Sequence, residues 1–256
     1  MSVARRPVGL RSRANAPHRF AARRSAAGGK KRLRVANTGR IRVVSETAAA
    51  DRARHMVLKR IFDCLLAAAG LILLLPLLLL IAAVILVTSG RPILFSQQRV
   101  GCSGARFRLY KFRTLDRSAA ARGDEEWAVD APTPLSAFLR FTGFDELPQL
   151  FNVLRGDMSL VGPRPERPYF VARFERELPA YARRHRLRPG ITGWAQVNGW
   201  RGNTSIARRL DHDLYYLDHR SLAFDLRILA ATFTGLARAL WDCTRFGAEA
   251  HHARIT

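Results

Sequence analysis

Asp145 and Glu146 stand side by side at the start of DELPQLFNVLRGDMSLVGPRP, residues 145–165, in a chain with many cations nearby in sequence: Lys111, Arg113, Arg140, Arg155 and Arg164. Two adjacent carboxylates among that many positive side chains suit a metal-bound diphosphate. Mg²⁺ takes one or two carboxylates and completes its shell with phosphate oxygens and water. An arginine fork grips phosphate through two parallel bonds. One carboxylate can then attack phosphorus as a nucleophile, while the metal neutralises the charge that develops. Plainer roles fit the same spacing. Acids just ahead of Pro148 gain from a helix dipole and serve as caps. Arg113 and Arg140 can be surface ion-pair residues. Asp157, following Gly156, reads as a turn cap rather than a metal ligand.

Several elements must hold these residues in place. Leu147, Leu150, Phe151 and Leu154 recur at helical spacing after the dyad, and Gly156 is a C-cap for that helix. ILFSQQRVG and ARFRLYKFRTL, residues 93–115, are rich in β-branched and aromatic residues around a turn at Gly101–Gly104, which predicts two extended segments, the second carrying Lys111 and Arg113. Leu135–Phe141 starts a helix bearing Arg140, preceded by a polar loop over 116–133 with a short helical piece. Residues 169–185 mix Phe170, Phe174 and Tyr181 with Arg173, Arg176, Arg183 and Arg184, a composition for a helix lying at a membrane surface or a plain solvated one. Residues 187–203, with Pro189 and Gly190, read as loop, and helices over 205–220 and 222–242 finish the chain. No internal repeat is evident.

Upstream, Leu65 to Val87 carries no charge and is mostly Leu, Ile, Ala and Val. At 1.5 Å per residue such a helix reaches about 34 Å, enough to span a bilayer core. Pro76 sits in its middle and removes a backbone hydrogen bond. Both flanks are basic: Arg52, Arg54, Lys59 and Arg60 before, Arg91, Arg99, Arg106 and Arg108 after. Because basic flanks stay cytoplasmic, a re-entrant helix bent at Pro76 fits better than a spanning one.

The 256 residues carry a net charge of +23, most of it within residues 1–60. Residues 1–55 form an arm of Arg, Ala, Ser and Gly with no sustained apolar period, so disorder is expected. Basic arms bind nucleic acid or anionic lipid; the neighbouring apolar run favours lipid. Cys64, Cys102 and Cys243 form no CxxC pair, which points to neither a zinc site nor a disulfide framework. The histidines form no triad, and no P-loop, GxGxxG or GxSxG motif is present. The pattern implies an enzyme that joins a soluble phosphorylated substrate to a lipid one.

From Lys59 to about Thr232 the sequence resembles the bacterial sugar transferase family, the monotopic polyprenyl-phosphate phosphoglycosyl transferases. The resemblance rests on KRIFDCLLA, the proline-broken run, FSQQRVG, KFRTL, the DELPQ…GPRP stretch, RPGITGWAQVNGWRG and DLYYLDHRSLAFDLRIL. It implies a mainly α fold with a few short strands, a re-entrant membrane helix, interfacial amphipathic helices and an active site at the cytoplasmic face of the bacterial inner membrane. It implies that Asp145 attacks the β-phosphate of a UDP-sugar, UMP leaves, and undecaprenyl phosphate takes the phosphosugar from the enzyme. Glu146 matches the Mg²⁺-binding acid. Lys111, Arg140 and Arg164 match phosphate or nucleotide contacts, with Arg113 beside them, and Pro189–Gly193 borders the site. NGWRG and DLYYLDHRSL resemble the hexose-transferring branch of exopolysaccharide assembly, whose members often carry extra N-terminal membrane helices; this chain reads instead as a minimal catalytic unit with a basic arm. It departs from the family in Gly143-Phe144, where Ser-Leu is usual, and in DAPTPLSAFLR, which lacks a usual basic residue. Both departures bear on substrate fit.

The expected organisation is a basic arm over 1–55, a re-entrant helix over 56–90, a catalytic region over 91–225 and a C-terminal helix and tail over 226–256. The expected reaction moves a sugar-1-phosphate from a UDP-sugar to undecaprenyl phosphate, with Mg²⁺, anionic lipids and downstream glycosyl transferases as partners and no nucleic acid. An N-acetylaminosugar donor, and a non-catalytic membrane adaptor, are the competing expectations.

Overall fold

The computed structural model describes residues 38–114 and 133–252. The chain divides into two compact units, Met1–Ser45 and Glu46–Thr256. In the first only residues 38–45 are described, all helical, and everything below concerns the second. The basic arm up to residue 37 and nearly all of the expected 116–133 loop lie outside the described residues.

The described residues are mainly helical with short strands. Helix α1, Thr38–Leu73, begins inside the arm expected to be disordered. That stretch has a local cause for helix: Ala48–Ala50, Ala53 and the arginines among them are strong helix formers. Helix α2, Leu75–Ser89, follows at a bend of 60°. The bend falls at Leu74, two residues before Pro76, whose ring crowds the carbonyl four residues back. No single helix among the described residues is long and apolar enough to cross a membrane; the bent pair passes together by length and composition. Ile72, Leu73 and Val87 are 76%, 79% and 85% exposed.

Strands β1, Leu94–Val100, and β2, Arg106–Phe112, form the expected antiparallel hairpin, with Leu94 opposite Phe112 and Val100 opposite Arg106. Helix α3, Pro134–Thr142, is capped by Thr133, whose side-chain oxygen accepts from the Ser136 N–H at 3.2 Å. It ends at Gly143 with φ 74, a left-handed position that suits glycine, which accounts for one departure noted above. A 3-10 turn, Phe144–Glu146, carries the dyad. Helix α4, Gln149–Arg155, closes at Gly156 with φ 91.

Strands β3, Ser159–Val161, and β4, Gly190–Thr192, pair in parallel, so part of the expected 187–203 loop is strand, followed by the one-turn helix α6, Trp194–Val197. Their backbones approach so closely that a Cβ on Gly190 would lie 2.1 Å from the Gly162 nitrogen, and one on Gly193 2.2 Å from the Gly162 oxygen. Only glycine fits there.

Helix α5, Pro168–Glu177, stops before Pro179, and a separate 3-10 turn, Tyr181–Arg186, follows. The single helix expected over 169–185 is therefore two pieces. Arg184, expected on a surface, is buried at 2% exposure. Helices α7, Ile206–His219, and α8, Leu222–His252, complete the fold. Ala67 of α1, Leu109 of β2, Leu150 and Val153 of α4, Val161 of β3, Tyr216 of α7 and Ile228 of α8 share one core. The inner face of α1 thus packs with the same residues that seat the dyad helix.

Candidate active site

The dyad sits where α3, β2 and α4 converge. The left-handed turn at Gly143 and the stiff ring of Pro148 frame the 3-10 turn. Within it Asp145 is buried and Glu146 is partly open. Arg164 reaches Glu146 from the Pro163–Pro165 segment with both guanidinium nitrogens, one bond measuring 3.0 Å and the other shorter, so the fork is bidentate.

That segment is held along its backbone. The Gly162 N–H donates to the Thr192 carbonyl at 2.9 Å, and the Gly190 N–H to the Pro163 carbonyl at 2.9 Å. Arg184 donates to the Arg164 carbonyl at 2.7 Å, Arg99 to the Pro165 carbonyl at 3.2 Å, and the Val100 N–H to the Glu166 carbonyl at 3.0 Å. Arg184 also pairs with Asp213 at 2.7 Å and donates to the Tyr181 hydroxyl at 2.7 Å. Pro189 and Gly190 therefore border the site by fixing the backbone beneath Arg164.

Electrostatics separates the two acids. Burial first, then the Glu146 charge, pushes the Asp145 carboxyl up to about 6 against the pull of Lys111, Arg164 and Arg140. Burial alone would also raise Glu146, but the Arg164 charge and hydrogen bonds, with Lys111 and Arg201, outweigh it and hold that carboxyl below its usual range. Burial lowers Lys111, and both acids oppose the shift. Arg140 donates from Nε to the Thr114 hydroxyl at 3.0 Å while acting on Asp145.

Lys111, Arg140 and Arg164 are thus gathered at the dyad. Arg113 is not: its guanidinium donates to the Ser89 and Gly90 carbonyls, the latter at 2.8 Å, and so caps the end of α2. In this structure its guanidinium is engaged by the helix-end carbonyls rather than gathered at the dyad. Arg155 pairs with Asp157 at 3.4 Å, away from the dyad. Two cations were missed. Arg99 reads in the sequence only as a basic flank, yet burial lowers its guanidinium to about 10, Glu166 opposes, and Arg164 and Arg167 repel it. Arg201, in the NGWRG stretch, is lowered by desolvation and by Arg164. The alternation of β1 and the glycines around Arg201 were the available signals.

Among the described residues no group of three His, Cys, Asp or Glu could cage a metal. The dyad nevertheless fits Mg²⁺, which needs only one or two carboxylates beside substrate phosphates. Each Glu146 oxygen accepts one Arg164 bond, which leaves a lone pair on each. The raised Asp145 carboxyl marks negative charge that a cation would relieve. Glu146, with Asp145 beside it, would hold the ion, which would supply charge neutralisation at phosphate.

Two outcomes follow from this geometry. Arg164→Lys keeps the charge but loses the fork. It should lower kcat/KM for a diphosphate-bearing substrate about a hundredfold while the thermal midpoint stays near that of the parent; a change under about threefold would contradict the assignment. An attacking Asp145 must be ionised, so kcat/KM should fall about tenfold per pH unit on the acid side of a limb at or below about 6. Lys111→Met removes a neighbouring cation and should move that limb upward. A limb unmoved by the substitution would exclude Asp145 as its source.

The sequence pattern described as "Bacterial sugar transferase" matches residues 54–239, and the chain belongs to this family. It is 43% identical over 180 residues to the UDP-N-acetylgalactosamine-undecaprenyl-phosphate N-acetylgalactosaminephosphotransferase of Aeromonas hydrophila, covering 68% of this chain and 42% of that protein. A UDP-glucose:undecaprenyl-phosphate glucose-1-phosphate transferase of Caulobacter vibrioides is 43% identical over 189 residues, covering 70% and 69%. A similar glucose-1-phosphate transferase of Xanthomonas campestris is 38% identical over 190 residues, covering 71% and 39%. The chain therefore spans about two fifths of the length of two of these three relatives.

Proposed function

We propose that the protein transfers a sugar-1-phosphate from a UDP-sugar to undecaprenyl phosphate through a covalent intermediate on Asp145. The observation that carries the proposal is the buried Asp145 beside an Arg164-forked Glu146, with Lys111 and Arg140 acting on the same carboxylates. An Asp145 oxygen bonds to the β-phosphorus as the bridging oxygen to the α-phosphate departs with UMP. An oxygen of the lipid phosphate then attacks the same phosphorus and the Asp145 carboxylate leaves unchanged. Arg164 and Arg140 are placed to offset charge on the phosphates, and Lys111 to keep Asp145 ionised. Mg²⁺ at Glu146 would complete the neutralisation.

Seating in the membrane belongs to the same proposal. The 60° bend, the exposed apolar faces of α1 and α2 and the basic flanks support a re-entrant element over 56–90, entering and leaving at the cytoplasmic face of the inner membrane. Residues 91–225 then form the catalytic face, and 226–256 a C-terminal helix and tail. The arm over 1–55 meets anionic lipid, and downstream glycosyl transferases consume the product. Single cysteines placed before and after the apolar run should both resist labelling from outside the cell. Labelling of one flank would sink the re-entrant reading.

The resemblance of the NGWRG and DLYYLDHRSL stretches to the hexose-transferring branch supports a hexose donor, as do the glucose-named relatives. An N-acetylaminosugar is the second reading, favoured by the Aeromonas relative. Membranes supplied with Mg²⁺, undecaprenyl phosphate and a panel of radiolabelled UDP-sugars should release UMP with one donor class. Release of UDP would place the reaction in a different class. Function that survives replacement of both dyad acids would favour the adaptor.

A further inference from the structure

A shallow cleft opens beside the N-terminal part of α1, with Lys59, Arg60, Asp63, Arg188, Tyr216 and Arg220 among the residues that line it. Its carboxylates are already committed. Asp63 accepts from the Ser159 hydroxyl at 2.7 Å and the Leu160 N–H at 3.3 Å, and lies 3.7 Å from Lys59. Asp225, just behind, pairs with Lys59 at 2.7 Å and accepts from the Tyr216 hydroxyl at 2.6 Å. Arg60 is committed too, donating to the Val153 and Leu154 carbonyls.

Two cations remain. Among the described residues Arg188 donates only its Nε, to the Gly156 carbonyl at 2.9 Å, which leaves its terminal nitrogens available. Arg220 makes no hydrogen bond or ion pair among the described residues. Four cations thus face two satisfied carboxylates, and the surplus lies on two guanidinium groups suited to gripping phosphate.

The neighbouring surface indicates what carries that phosphate. Met56, Lys59 and Asp63 turn toward the cleft, while Val57, Leu58 and Ile61 of the same turns are 60%, 54% and 51% exposed. A cationic cleft edged by bare apolar side chains matches a ligand with a phosphate head and acyl tails. We propose that this cleft binds the phosphate headgroup of an anionic phospholipid through Arg188 and Arg220, apart from the dyad. The bound headgroup fixes the depth at which α1 enters the lipid. Because Arg188 also holds the Gly156 carbonyl, it ties that depth to the end of the dyad helix α4. This rests on the membrane seating proposed above.

The test titrates the full-length protein in neutral detergent with dihexanoyl phosphatidylglycerol, dihexanoyl phosphatidylcholine or inorganic phosphate, reading the thermal midpoint and turnover in the same samples. A ligand that binds the folded cleft raises the midpoint, whereas a lipid held only by the N-terminal arm does not. Phosphatidylglycerol should stabilise the parent protein, and Arg220→Gln, which breaks no hydrogen bond or ion pair among the described residues, should raise the half-effective concentration roughly tenfold. Arg188→Gln/Arg220→Gln should remove the response, while the arm variant Arg40→Gln/Arg42→Gln should keep it. An unchanged response in Arg220→Gln, or an equal response to phosphatidylcholine or to inorganic phosphate, overturns the proposal. Turnover retained in Arg220→Gln separates failure of this site from failure of the proposed reaction.

Discussion

Asp145→Asn should reduce turnover at least about a thousandfold and, in metal-free buffer, make the protein more stable. The loss follows from chemistry: an amide is a poor nucleophile toward phosphorus and cannot form the acyl-phosphate link. The gain follows from electrostatics. Folding raises the Asp145 carboxyl from 3.8 to about 6, so the folded state favours its protonated form. Below the unfolded value the group carries no cost. The cost builds as pH rises from 3.8 to about 6 and is complete above it, at about 3 kcal/mol. A neutral, nearly isosteric Asn escapes it. The variant should therefore melt about 5–10 °C above the parent at pH 7.5 in chelator, with the difference closing toward pH 4. A variant that melts lower at neutral pH would show that the charge on Asp145 is structurally satisfied rather than held for reaction.

The second large effect lies behind the site. Arg184 and Asp213 are 2% and 2% exposed and pair at 2.7 Å, while Arg184 also holds the Arg164 carbonyl. Asp213→Asn leaves a buried guanidinium without its counter-charge, which should cost about 3–5 kcal/mol and be read by chemical denaturation. Replacing both members with apolar residues, Arg184→Met/Asp213→Leu, should recover most of that stability, because no lone charge remains. It should not recover turnover, since the Arg164 carbonyl loses its donor and the fork on Glu146 is no longer aimed. Full recovery of both would reduce the pair to a stability element with no positioning part.

The sequence disclosed the parts of this fold that depend on near neighbours. The hairpin showed in the β-branched and aromatic residues on either side of Gly101–Gly104, and α4 in its apolar spacing and the Gly156 stop. Long-range geometry was hidden. The β3–β4 pair is three residues on each side, brought together from positions about thirty residues apart, and its main trace is the glycines that permit close approach. Arg184 looked like one more cation on an amphipathic helix, because its partner Asp213 lies on another element. Arg113 was drawn to the dyad by its nearness in sequence to Lys111, but free carbonyls at the end of α2 hold it. For Arg99 and Arg201 the alternation of β1 and the neighbouring glycines were weak local signs that named no partner; their coupling to Glu146 arises where β1 and the loop after α6 meet the Pro-Arg-Pro segment. The dyad was legible because adjacent acids need no fold to be neighbours. Its division into a raised Asp145 and a lowered Glu146 required burial and the Arg164 fork.

The central claim is that Asp145 takes the phosphosugar onto itself before the lipid receives it. The direct measurement is a single turnover without acceptor, using the preferred UDP-sugar labelled at the β-phosphorus, with the protein in excess and Mg²⁺ present. The proposed reaction predicts a burst of UMP equal to the label retained on the protein, mapping to the peptide that contains Asp145 and absent in Asp145→Asn. Addition of undecaprenyl phosphate should then move the label into lipid. Release of UDP, or transfer to lipid with no protein-bound label at any time, would contradict it.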